Sequence, residues 1–188
     1  NNLDRVLAKE LINPFTIEWH PFQLNPEMPL AGMNRQDYLE QKFGGKQNAY
    51  RVYSRISSTA VKAGLNLELQ LIKKTPNTIN AHRLIHWAGI EGLQNSVVSA
   101  LFESYFVKGE DIGDLSTLVD IGASVGLDKD LISKLLKEDT ELTEIKQKET
   151  RRHEWPSLVL RVDKLLGGVS FPARIPPNRQ LLYRVMYR

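Results

Sequence analysis

His82 and His86 stand four residues apart in the stretch TPNTINAHRLIHW, Thr75 to Trp87. On a helix that spacing puts both imidazoles on one face, as when a helix offers two nitrogen ligands to zinc. A hydrolytic zinc helix also needs a Glu directly after the first His as general base, together with a third ligand. Here Arg83 follows His82, placing a cation beside the would-be metal, and His20 and His153 are the only other imidazoles in the chain. The pattern therefore predicts no metal. It predicts instead that one ring meets a neighbour on its own helix while the other hydrogen-bonds at the surface.

Other reactive constellations are thin. There is no cysteine, which excludes disulfides, thiolate catalysis and Cys-ligated metals for the chain as given. Gly122-Ala123-Ser124-Val125-Gly126 has the letters of a G-x-S-x-G elbow, but Gly122-Ala123-Ser124 falls inside a helical pattern and not on a strand-to-helix turn, so no nucleophilic serine is presented. The glycines of KFGGKQN follow a helix rather than a strand, so they read as a helix stop and not as a phosphate loop. Trp155-Pro156 directly precedes a strand-like run. Proline cannot donate to a sheet ladder and is tolerated at strand starts, so the plain reading is entry to an edge strand. The sharper one is a cis-proline held in place for function.

The elements that must position these residues are mostly helical. Leu3, Val6, Leu7 and Leu11 keep helical spacing up to Asn13-Pro14. Thr16–Trp19 alternates, with Phe15, Ile17 and Trp19 on one face, and predicts a strand. A proline-rich loop leads to Asn34, which caps a helix over RQDYLEQKF that Gly44-Gly45 ends. A second helix covers NAYRVYSRISSTAVKA, and the alternating Leu65–Leu71 predicts a second strand. From Asn77 to Arg152 the pattern is helix after helix: the histidine segment, Leu93–Val107, Leu115–Val125 capped by Asp114, Lys129–Lys137 capped by Asp128, and DTELTEIKQKETRR. Ser157–Val162 and Leu165–Ser170 then predict a hairpin, and PPNRQLLYRVMY a closing helix. The reading is an α/β fold: a small sheet in residues 1–76 and 153–188, interrupted by an all-helical insertion at 77–152.

Composition agrees with a globular chain, since 41% of the 188 residues are hydrophobic and 25% charged. No apolar run approaches the ~18 residues of a membrane span, and a cysteine-free chain suits a cytoplasmic setting. The net charge of +3 is uneven, because from Arg151 onward eight Lys/Arg face two acids. That tail lacks the dense or aromatic-interleaved clusters of a nucleic-acid binder, so no nucleic-acid partner is expected. The chain opens on NNLDRVLAKEL, already the inside of an amphipathic helix, which suggests a start part-way into a domain.

Four stretches, EWHPFQLNPEMP, KFGG, TPNTINAHRLIHWA and ALFESYFVKGEDIGDLSTLVDIGASVGLD, follow one another at spacings that resemble the DsbA-like thioredoxin-fold oxidoreductases of the FrnE type. That group is related to 2-hydroxychromene-2-carboxylate isomerases and kappa-class glutathione transferases. The resemblance runs from about Leu3 to Leu136. It implies a thioredoxin-like sheet, a C-P-W-C helix start before the position of Asn1, and protein thiols or disulfides as partners. It also implies a cis-proline opposite the thiols, matched here by Pro156. With Trp155, Pro156 would line the substrate-binding groove. The sequence departs from the family around RRHEWPS and SFPARIPPN. On the same fold, a Ser in place of the first Cys would give a glutathione-using isomerase or transferase, and loss of both thiols a non-catalytic peptide-binding module.

Overall fold

The computed structural model describes residues 17–138. Two strands, β1 (Met33–Asn34) and β2 (Lys74–Thr75), pair antiparallel with Met33 opposite Thr75. Between them lie α1 (Arg35–Phe43) and α2 (Lys46–Lys62). After β2 come α3 (Ile79–Ile90), α4 (Gln94–Glu103), a π-helical turn (Ser104–Lys108), α5 (Leu115–Ser124) and α6 (Lys129–Lys137).

The helix ends follow local chemistry. Asn34 Oδ1 accepts from the Gln36 and Asp37 amides, at 2.8 and 3.3 Å. Asp114 accepts from the Thr117 amide at 3.0 Å and Asp128 from the Leu131 amide at 2.7 Å. Each satisfies an N–H that has no partner inside its helix. Gly44, at φ 70°, closes α1. The core lies among α3 to α6, where Leu84, Val97 and Leu118 are fully buried and pack with Trp87, Ile121, Ile132 and Leu136. Each such side chain contributes about 1.5–3 kcal/mol through removal from water. Gly122 leaves room for Leu84, whose Cδ1 would lie 3.3 Å from an added Cβ.

Both described strand predictions need correction. Residues 17–20 join no ladder, although Ile17 and Trp19 are half-buried and Glu18 and His20 exposed. The alternation reports the faces correctly, but the backbone of Trp19 pairs with a side chain, Gln94, rather than with a strand. Leu65–Leu71 is not a strand either. The Leu65 amide still bonds back to Ala60, and a turn joins Leu71 N–H to the Glu68 carbonyl at 2.9 Å. The segment meets the π-helical turn, where the Glu68 amide donates to the Phe106 carbonyl at 2.8 Å. The predicted strands Ser157–Val162 and Leu165–Ser170 lie outside the described residues, as do Trp155 and Pro156.

Candidate functional site

The two most distinctive stretches, WHPFQLNPEMP and TPNTINAHRLIHW, form one joint. Asn77 is its hub and is 7% exposed. Its Oδ1 accepts from Gln23 Nε2 and from the Ile79 amide, each at 3.0 Å, and its Nδ2 donates to the Met28 carbonyl at 2.7 Å. One amide therefore starts α3 by an Asx turn and ties the loop 21–28 to that start. Thr78 occupies the cap position without making a cap bond, and the bond to the helix start comes from Asn77 instead. A second amide acts at the other end of α3. Gln94 accepts from the Trp19 amide at 2.7 Å and donates to the Trp19 carbonyl at 2.8 Å. The Trp19 indole donates to Asn95 at 2.5 Å and packs edge-on against Phe102, with ring centroids 6.4 Å apart.

His82 belongs to this joint. Its Nε2 lies 3.3 Å from Thr78 Oγ1, and the Phe22 backbone also hydrogen-bonds the ring. Burial lowers its pKa to about 4, with the Phe22 contact opposing, so the ring is neutral at ordinary pH. Among the described residues no three His, Cys, Asp or Glu side chains gather as metal ligands.

Arg83, between the histidines, is 1% exposed. It donates to the carbonyls of Leu135 (2.5 Å), Leu136 (3.3 Å) and Glu138, and to Asn80 Oδ1 (3.0 Å), while its guanidinium stacks over Trp87 at 5.1 Å. The cation thus meets the negative end of α6 and the carbonyls left open there.

A third cluster joins the strands to the π-helical turn. Arg35 donates to Thr75 Oγ1 at 3.0 Å, to Tyr105 OH at 3.3 Å and to Tyr53 OH, and lies over the Tyr53 ring at 5.3 Å. Burial pushes the Tyr105 phenol up to about 12 and raises that of Tyr53, against the pull of Arg35, so both stay protonated. Lys74 pairs with Asp111 at 2.7 Å alongside.

The pieces described thus anchor a loop and a helix start. Sequence reasoning singled out His82 and His86 but missed Asn77 as a hub, Gln94 as a backbone clamp and Arg35 as a cation among phenols. The available signal for Arg83 was the one Lys or Arg, with no acid, in the middle of its helix.

The model of the DSBA-like thioredoxin domain matches residues 1–154. The chain belongs to this family. The crystal structure of a probable DsbA oxidoreductase from Streptomyces coelicolor superposes with a TM-score of 0.72 over 97% of this chain and 81% of that one, at 19% identity. The fold is therefore thioredoxin-like. No curated protein matches the chain. The family match stops one residue before Trp155.

Proposed function

We propose that this DSBA-like domain works in a thiol–disulfide oxidoreductase of the FrnE type, whose reactive C-x-x-C pair lies outside the 188 residues. The family match over residues 1–154 carries this reading. In such chemistry a thiolate of the pair attacks a substrate disulfide, forming a mixed disulfide and releasing one substrate thiolate; the neighbouring thiolate then attacks the first sulfur of the pair, closing the C-x-x-C disulfide and releasing the second substrate thiolate. The cysteine-free chain can hold and orient but cannot perform that exchange. Trp155 and Pro156 would border the groove in which an extended protein thiol or disulfide substrate lies.

The test compares the 188-residue chain with the full-length protein in insulin reduction and in oxidation of a dithiol peptide. The chain alone should be inactive in both. The full-length protein should be active in at least one, and lose that activity when its cysteine pair becomes serine. A full-length protein without a cysteine pair, or inactive in both assays, ends the oxidoreductase reading. Glutathione binding by calorimetry in that protein would then favour the transferase or isomerase reading, and no binding the peptide-binding module.

A further inference from the structure

The seventeen residues of α2, KQNAYRVYSRISSTAVK, contain four cations and no acid. Lys46, Arg51, Arg55 and Lys62 are all exposed, as are Tyr50 (77%) and Val61 (72%). Among the described residues Lys46 alone of the four is near a carboxylate, 3.7 Å from Glu40. An open groove of about 860 Å³ runs along this face, and its described lining includes Lys46, Tyr50, Arg51, Arg55 and Lys62. A solvated helix face usually interleaves acids at i+4. Here Arg51 and Arg55 repel each other at that spacing, and Lys46 in the first turn opposes the helix dipole. The opposite face packs normally through Ala49 and Ala60. The charge pattern therefore works against the helix itself.

We propose that this outer face of α2 docks an acidic helical segment of a partner polypeptide. The match is one of charge and shape. Ser54 and Ser58, small and exposed, sit in the middle of the stripe, and the Ser58 hydroxyl is folded back onto the Ser54 carbonyl at 2.9 Å. A partner helix can approach closely there and place Asp or Glu beside Arg51 and Arg55, while Tyr50 and Val61 offer apolar contacts towards the two ends. A long polyanion suits the surface less well. Outside α2, residues 17–138 hold fourteen acids against nine bases, a net of −5, so the excess of cations on this face is not shared by the rest of the described residues. Tyr50 is also the one exposed ring on the face, too few for a stack of successive bases. An anionic bilayer would want more apolar side chains than Tyr50 and Val61. The surface is distinct from the joint around Asn77 and does not depend on thiol chemistry.

The probe is a fluorescein-labelled helical peptide of about sixteen residues, with glutamates at i, i+4 spacing and a leucine near each end, followed by fluorescence anisotropy at low and physiological salt. The chain should bind it, more weakly as salt rises. R51E/R55E should weaken binding about tenfold or more, since two ion pairs become repulsions. K73E/K134E, which changes net charge equally on other exposed positions, should leave it nearly unchanged. R51Q/R55Q gives the same reading if the double reversal fails to fold by circular dichroism. The proposal falls if the peptide does not bind, or if both charge-matched variants lose binding alike. It also falls if a twenty-residue oligo(dT) or phosphatidylserine vesicles bind more tightly than the peptide through Arg51 and Arg55.

Discussion

At the scale of single residues, the histidine pair shows how one spacing serves two chemistries. His82 is held neutral in the joint, so the folded state resists a proton that the unfolded chain accepts. Its pKa is depressed from 6.5 to about 4, mainly by burial. The resulting stability is fully present above about pH 6.5, declines as pH falls towards 4 and then levels off, a change on the order of 3 kcal/mol. Urea unfolding at pH 7.5 and pH 4.5 should show this loss, and His82→Gln should flatten it. An equal loss in the variant would show that other groups carry the acid sensitivity. The letters show a charge, Arg83, between the two histidines. The use made of Arg83 was not legible there, since its partners Leu135, Leu136 and Glu138 lie more than fifty residues away.

At the scale of elements, what could be read was what is local. Asn34, Asp114 and Asp128 cap helices through bonds to residues two or three positions on, so α1, α5 and α6 start where the sequence placed them. The strands could not be read that way, because a ladder depends on which distant segment lies alongside. Leu65–Leu71 has the alternation of a strand yet packs on the π-helical turn, and the turn itself interrupts what the letters present as one helix from Leu93 to Val107. Gly109 makes that contact possible. It sits at φ 73°, and a Cβ there would lie 2.5 Å from Leu71 Cβ and 2.7 Å from the Leu71 backbone. Gly109→Ala should therefore cost more than the roughly 1–3 kcal/mol of backbone strain alone. Gly126→Ala isolates that strain, since Gly126 has φ 100° and nothing within 4 Å of an added Cβ. Thermal midpoints that fall equally in the two variants would mean that the Leu71 contact adds nothing.

For the molecule as a whole, the sequence motifs that mark the family turn out to be contact partners. The segment from Trp19 to Met28 is held to the helical block at Asn77, His82 and Gln94, so the part of the chain read as sheet and the part read as insertion share polar joints. That coupling runs across residue 76, where the sequence pattern changes. It also turns Trp19 into a reporter. Its amide proton is shielded by a side chain on the first residue of α4, not by a neighbouring strand, so it can exchange with deuterium when that single helix end loosens. Gln94→Ala should make the Trp19 amide exchange quickly while the amides in the middle of α4 keep their protection; a Trp19 amide that stays slow would place its shield elsewhere. In the intact protein, the rate at which that one proton leaves measures how often residues seventy-five positions apart let go of each other.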